Sequence, residues 1–239
     1  MSTEFNLPPH TVDLWRGTVS HEAQHPLFDA WLSPDERRRM LRFKFPALQT
    51  RFLHIRGSLR QIMAGYVNEP PERLRFAYSE FGKPYLADYP ALAFNLSHTG
   101  DDWIIAVGCC PLGVDLEHCK PRDSLPELVG RFFAGQEAAF WQALPESRRL
   151  SAFYQLWTCK EAFLKATGRG IAAGLQDCVL DTDSFQRFLQ VPKAYQPASQ
   201  WQLLTQHSGL VHCVALVCQS SEPQTVRHKS IRRLELPTV

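Results

Sequence analysis

The stretch Leu92-Ala-Phe-Asn-Leu-Ser-His-Thr-Gly-Asp-Asp-Trp-Ile-Ile-Ala-Val-Gly-Cys109 carries the fold reading for the whole chain. Two apolar runs, Leu92 to Leu96 and Trp103 to Cys109, flank the polar turn Ser97-His98-Thr99-Gly100-Asp101-Asp102, so the segment predicts a pair of strands. Trp201 to Cys218 repeats the pattern, an aromatic residue leading to an apolar run from Leu210 that is rich in Val. The echo points to a duplicated architecture. A third strand is predicted at Gly113 to Glu117. Upstream, Ser33-Pro34-Asp35-Glu36 is a helix start with an N-cap Ser, Pro at the first helical position and a capping-box Glu. Pro46 interrupts that helix. Ala47 to Tyr66 follows as a second one, with apolar residues at helical spacing and Arg51 at the edge of the apolar face. Leu74 to Tyr78 reads as a short strand and Ser79 to Leu86 as a turn. Downstream, Leu125 to Ala143 and Arg148 to Thr167 are expected helices, the latter closed by Gly168 and Gly170. After Ala173 come shorter apolar segments around Cys178 to Leu180 and Trp201 to Thr205. The segregated order predicts an α+β fold.

Composition narrows the function classes. At 239 residues, 44% hydrophobic and 21% charged, the chain has material for one large domain or two small ones and lies far from the disordered class. The opening Met1-Ser-Thr-Glu-Phe5 lacks the basic and apolar regions of a signal peptide. No apolar run approaches the roughly 20 residues that span a bilayer. The 7 cysteines include no Cys-x-x-Cys pair and read as reduced thiols. A protein in the cytoplasm with no membrane partner is therefore expected. The net charge of +2 hides an asymmetry, because residues 33–60 alone carry +6 and the remainder carries a net of 4 negative charges. An Arg-rich helix is either a solvated face or an anion site.

Three clusters could carry chemistry. In Gly113-Val-Asp115-Leu-Glu117 the strand period of two puts both carboxylates on one face, where they repel unless a cation sits between them. Oxygen donors favour Mg²⁺ or Mn²⁺. A solvated acidic edge is the plain alternative. In Trp157-Thr-Cys-Lys160-Glu161-Ala-Phe-Leu-Lys165, Glu161 and Lys165 share a helix face. They read either as a surface ion pair or as a third metal carboxylate beside a lysine that reaches phosphates. Ser97-His98 lacks the Gly-x-Ser-x-Gly surroundings of a hydrolase nucleophile, and a phosphate-binding hydroxyl and imidazole fit the basic context better.

Taken in order, Phe81-Gly-Lys83-Pro84, Phe94-Asn-Leu-Ser97-His98, Gly113-Val-Asp115-Leu-Glu117, Arg131-Phe-Phe133 with Glu137 beyond, and Phe153-Tyr-Gln-Leu-Trp157-Thr-Cys-Lys160-Glu161-Ala-Phe-Leu-Lys165-Ala-Thr-Gly168 resemble the Sfp-type 4′-phosphopantetheinyl transferases, and most of all their cyanobacterial branch. The resemblance runs from about residue 12 to residue 218. It implies a pseudo-two-fold pair of α+β halves in a single chain, 1–112 and 113–239, with coenzyme A and the metal in the cleft between them. The implied reaction moves the phosphopantetheine arm of coenzyme A onto a serine of an apo acyl carrier protein, or of a carrier domain of a polyketide or nonribosomal-peptide synthase, and releases adenosine 3′,5′-bisphosphate.

By the same resemblance Asp115, Glu117 and Glu161 hold Mg²⁺, with Mn²⁺ a substitute. Lys165, Lys160, Ser97 and His98 support the phosphates, Arg39 and Arg51 take the 3′-phosphate, and Lys83 lies at the nucleotide end. Glu36 departs from the family pattern, which has a basic residue there, and Arg38 or Arg42 could compensate. Glu161 and Glu137 are the two candidates for the base. Lys120, Arg122, Arg131 and Phe132 are expected to meet an acidic carrier protein. The enzyme is expected to be a monomer with no nucleic-acid partner. Two competitors use part of the same features: a basic-helix nucleic-acid binder, and a Mg²⁺-dependent phosphohydrolase.

Overall fold

The computed structural model describes residues 5–21, 26–170, 174–208 and 211–230. Met1 to Glu4, Ala173 and Leu210 lie outside the described residues. The first half runs β1 (Thr11–Thr18), α1 (Pro26–Trp31), α2 (Pro34–Leu41), α3 (Pro46–Val67), β2 (Phe76–Tyr78), β3 (Pro84–Leu86), β4 (Ala93–Thr99) and β5 (Asp102–Gly108). The chain continues through β6 (Leu112–His118), α4 (Leu125–Phe132), α5 (Gly135–Ala143), α6 (Glu146–Thr167), β7 (Val179–Leu180), β8 (Phe188–Gln190), β9 (Trp201–Ser208), β10 (His212–Gln219) and β11 (Thr225–Ser230).

The duplication is visible in the strand orders. One sheet contains β1-β5-β4 and the other β6-β10-β9, all antiparallel neighbours, so in each the first strand pairs with the last and the last with the middle one. Each half also inserts one 22-residue helix, α3 or α6, between its first and second sheet strands. Three apolar clusters result. Leu59, Met63, Trp103, Ile105 and Val107 pack α3 on its sheet. Phe153, Phe163, Cys213, Ala215 and Val217 pack α6 on the other. Between the sheets lie Val12, Ile104, Ala106, Val114 and Leu216. Strands β5 and β10 are thus covered on both faces, which is why they read as continuous apolar runs.

The helix start at Ser33 forms as expected: Ser33 Oγ accepts from the Glu36 amide at 3.3 Å and Glu36 returns the bond to the Ser33 amide at 2.8 Å. The α+β expectation holds. Three local expectations do not. The segment read as a turn over 79–86 ends in strand β3, whose residues Pro84 to Leu86 pair with β2. The helix expected over 125–143 breaks at Phe133 and Ala134, because Phe133 takes an extended conformation to stack on Phe153 with ring centroids 5.5 Å apart. The turn expected at 97–102 is shorter, since Ser97 and His98 are still paired with Ile104 and Trp103 in the β4–β5 ladder.

Three strands carried no clear signal. In β1 the buried Asp13 breaks the apolar alternation; it is neutralised by Arg227 of β11, at 2.6 and 2.7 Å, and also accepts a hydrogen bond from the Tyr66 hydroxyl. Strand β11 is itself mostly polar and returns from the end of the chain to pair parallel to β1. Strand β8, Phe188–Gln190, is short and among the described residues pairs only with β7.

Candidate functional site

The site lies where β4 meets β6. Asn95 and Ser97 alternate on the inner face of β4, so their oxygens are presented two residues apart. They accept from two amides of β6 with the same spacing: Val114 N donates to Asn95 Oδ1 at 2.9 Å and Leu116 N to Ser97 Oγ at 3.2 Å. Side chains thereby zip the two halves together. Asp115, between those amides, is 3% exposed. Its Oδ1 accepts from Ser97 Oγ at 2.9 Å and from Lys165 Nζ at 2.5 Å, while Lys165 also donates to Ser97 Oγ at 2.9 Å. Its other oxygen, Oδ2, is buried without a hydrogen-bond partner among the described residues. A buried, unpaired carboxylate oxygen is costly and calls for a cation or donor.

Gly113 makes this arrangement possible. A Cβ there would lie 2.1 Å from the Ala162 carbonyl oxygen and 2.3 Å from the Ala166 amide nitrogen, so only glycine lets β6 rest directly on the backbone of α6. That contact brings Lys165 and Glu161 up to Asp115 and Glu117. Burial, and then the Asp115 charge, push Glu161 up to about 7. The same two causes, in the same order, raise Glu117. The three carboxylates therefore form one under-neutralised acidic patch, with hard oxygen donors suited to Mg²⁺ or Mn²⁺.

On the first-half side, Arg39, Arg51 and His98 line one cavity of about 400 Å³, together with Phe52 and Tyr78. Arg51 Nε donates to Asp101 Oδ1 at 2.8 Å, which aims the guanidinium along the β4–β5 turn. Partial burial, then Arg51 and Lys165, lower the His98 pKa. Lys165 thus faces both the basic cavity and the acidic patch.

Other expected residues are not brought here. Glu137 and Lys160 are both fully buried and pair with each other at 2.7 Å. Glu137 also accepts from the Ala134 and Leu180 amides at 2.9 Å, and Lys160 donates to the Leu175 carbonyl at 2.9 Å and to that of Cys178. The pair holds α5, α6 and β7 together inside the second half, away from any substrate surface. The sequence led to Glu137 as a base and Lys160 as a phosphate ligand, but the structure does not bring either side chain to the β4–β6 seam. Lys83 turns from the cavity and donates to the Leu112 and Ala166 carbonyls at 2.8 and 2.9 Å, and burial lowers it to about 8. It ties β6 to α6 rather than reaching a nucleotide.

Glu36 is likewise accounted for. Burial would raise its pKa, but Arg56, the hydrogen bond from Arg60 and the Ser33 amide together lower it. It clamps α2 onto α3 through Arg56 and Arg60, the latter at 2.7 Å. Arg38 is paired with Asp35. On the far side of the acidic patch, Arg122 and a hydrogen bond from Trp157 both act to lower Glu117. Trp157 in turn meets Phe132 with ring centroids 5.7 Å apart, and the Arg131 guanidinium covers Phe132 at 5.0 Å.

The tightest convergence of metal-ligand atoms among the described residues is elsewhere, at Asp102, His118 and His212. Sequence reasoning missed it, because His118 and His212 become neighbours only through the β6–β10 ladder.

Comparison with known proteins gives a consistent result. Residues 111–217 match the family described as the 4′-phosphopantetheinyl transferase superfamily, and residues 15–110 match that described as 4′-phosphopantetheinyl transferase, N-terminal. The 4′-phosphopantetheinyl transferase HetI of Nostoc sp. is 39% identical over 198 residues, 81% of either chain. A putative 4′-phosphopantetheinyl transferase of Synechocystis sp. is 36% identical over 76% of this chain and 74% of its own. The 4′-phosphopantetheinyl transferase Sfp of Bacillus subtilis is 29% identical over 74% and 78%. Among solved structures, a Bacillus anthracis holo-(acyl-carrier-protein) synthase in complex with CoA (3′,5′-ADP) matches with a TM-score of 0.36 and 19% identity, over 47% of this chain and 97% of its own.

Proposed function

The chain belongs to the 4′-phosphopantetheinyl transferase superfamily and is an enzyme that transfers the phosphopantetheine arm of coenzyme A to a serine of apo carrier proteins, and we propose that the β4–β6 seam is where it does so. The observation that carries the assignment is Asp115 Oδ2, buried and unpartnered between a basic cavity and two further carboxylates. Asp115, Glu117 and Glu161 would hold Mg²⁺, or Mn²⁺ in its place. Such an ion would supply positive charge to the pyrophosphate as it is cleaved.

The chain's own residues do the rest. Arg39 and Arg51 bind the coenzyme's remote 3′-phosphate from the cavity wall. His98, with its pKa lowered, donates a hydrogen bond to a phosphate as a neutral ring. Ser97 and Lys165 fix the Asp115 carboxylate, and Lys165 adds charge beside the leaving phosphate. With Glu137 held inside the core, Glu161 is the remaining candidate to accept the proton of the carrier serine, because it lies in the acidic patch beside Asp115. Arg122, Arg131 and Phe132 would meet the acidic carrier, with Lys120 beside them. The carrier is an acyl carrier protein or a carrier domain of a polyketide or nonribosomal-peptide synthase, and the enzyme works as a cytoplasmic monomer. No helix of the described residues is long and apolar enough to cross a membrane.

Neither competitor accounts for the seam. A nucleic-acid binder has no use for an acidic patch beside its cations, and a phosphohydrolase needs no docking face. Incubation with coenzyme A, Mg²⁺ and a panel of apo carriers, followed by intact-mass measurement, tests the proposal. One added phosphopantetheine per carrier is expected, with its loss in Asp115→Ala. A metal-dependent, active Asp115→Ala enzyme would sink the metal assignment.

A further inference from the structure

We propose that Asp102, His118 and His212 form a second metal site, for a divalent ion of the zinc class, that ties the two halves of the molecule together. None of the three residues has a part in the reaction proposed above. Asp102 opens β5 in the first sheet, His118 closes β6 and His212 opens β10 in the second. The β6–β10 register sets the two histidines directly opposite each other. Their rings meet at 71° with centroids 4.3 Å apart. Both Nε2 atoms converge on one oxygen, Asp102 Oδ2, at 3.1 and 3.2 Å.

Those distances are what a shared ion requires. Donors about 2.0–2.1 Å from a zinc ion at the tetrahedral angle lie about 3.3 Å from each other. Two of the three donor–donor distances already match that figure, and all three donor atoms lie within 4.8 Å of one another, so an ion can take the place of the two hydrogen bonds. The carboxylate is oriented from behind, because Thr18 Oγ1 donates to Asp102 Oδ1 at 2.6 Å, the kind of outer contact that fixes a metal ligand. Two imidazoles and one carboxylate prefer zinc or another first-row transition ion to Mg²⁺, whereas the Asp115 patch offers only oxygen. The two sites thus differ in chemistry as well as in place.

Access and the remaining coordination position are also provided. The three side chains are only 22–33% exposed, and Asp102 and His212 line a cavity of about 610 Å³ that also contains Thr18, Gln206 and Arg16. A water or a small anion from that cavity can complete the coordination, and Arg16, whose Nε is buried without a partner among the described residues, favours an anion. The ion would fasten β5 to β6 and β10 just beyond the seam formed by Ser97, Asp115 and Lys165. Binding to the folded chain alone then stabilises it by mass action.

Cobalt(II) titration of the full chain, with Mg²⁺ in large excess to saturate the acidic patch, tests the proposal. One equivalent should give visible d–d bands of tetrahedral intensity, be displaced by Zn²⁺, and raise the thermal midpoint. His118→Ala and His212→Ala should each weaken binding at least tenfold and abolish the thermal shift. Asp102→Asn, which keeps the shape of the site, guards against a folding defect and should weaken binding too. The proposal is overturned if the wild type binds no ion, or if these variants bind as the wild type does. It is equally overturned if Asp115→Asn removes the signal, or if near-ultraviolet thiolate charge-transfer bands reveal ligation by the neighbouring Cys119 and Cys213, whose sulfurs lie 3.2 Å apart.

Discussion

Lys160 and Lys165 stand on the same helix, each against a carboxylate, yet the two pairs have opposite surroundings. Around Lys160 and Glu137 every hydrogen-bonding demand is met by carbonyls and amides of the second half. Around Lys165 and Asp115 one carboxylate oxygen is left over, and two more carboxylates crowd it. A fully satisfied buried pair is structural; an incompletely satisfied one at a seam between halves awaits a ligand. The difference follows from the turn of the helix. Five residues at 100° each separate the two lysines by about 140°, so one faces the core of its half and the other faces the first half.

The comparison is broken most severely by exchanging the fates of the two pairs. Glu137→Ala leaves Lys160 charged and unpaired in the core and should cost about 3–5 kcal/mol of stability, read by denaturant unfolding. Asp115→Ala should instead stay folded and lose turnover to background, at least about a thousandfold, or about 4 kcal/mol of transition-state stabilisation. If Asp115→Ala unfolds while Glu137→Ala folds and turns over poorly, the roles have been assigned the wrong way round. Gly113→Ala should damage both, since it forces β6 off the backbone that carries both lysines.

A smaller effect comes from the unbalanced charge at the seam. Glu161 titrates near 7 in the folded chain, above the value of about 4.3 of an unfolded one. Between those values the folded protein holds a proton that the unfolded chain has released. Its contribution is therefore present at pH 4 and lost as pH rises towards 7. Metal-free protein should lose about 2 kcal/mol of stability between pH 5 and pH 8. Glu161→Gln should flatten that profile, and so should Mg²⁺. An unchanged slope in Glu161→Gln would assign the titration to another group. The basic side of the seam answers in binding. Arg51→Ala should raise the Kd of coenzyme A about tenfold, while leaving unchanged that of the analogue lacking the 3′-phosphate. Equal losses for both ligands would remove Arg51 from the 3′-phosphate.

Much of this layout was legible in the sequence because it is local. The capping box at Ser33, the hairpin echo and the carboxylates two apart on a strand all follow from spacing within a few residues. Lys160 was misplaced although the signal was present. Phe153, Leu156, Phe163 and Leu164 lie within about 60° of it around the helix, so it sits in the apolar stripe that faces the core. What could not be read was non-local. The burial of Asp13 depends on Arg227 from the far end of the chain, and the meeting of Asp102, His118 and His212 depends on two sheets and their registers. Glu36 looked like a defect in a phosphate site because the arginines that claim it lie on another helix.

The weakest expected effect concerns the carrier, and it separates the two faces of the seam. Arg131 is exposed and spread over Phe132, which packs on Trp157 beside Glu117. A charge in that position attracts an acidic partner across solvent, so it acts chiefly on the rate of encounter and is screened by salt. Arg131→Ala should raise the KM for the carrier severalfold at low ionic strength and by less at high. Its kcat and the Kd of coenzyme A should stay as in the wild type. Since Arg131 covers Phe132 on Trp157 while Arg51 lines the cavity with His98, their effects on the two substrates should add independently in the double variant. Non-additive losses would mean that carrier and coenzyme share one surface, and that the division of labour across the seam is wrong.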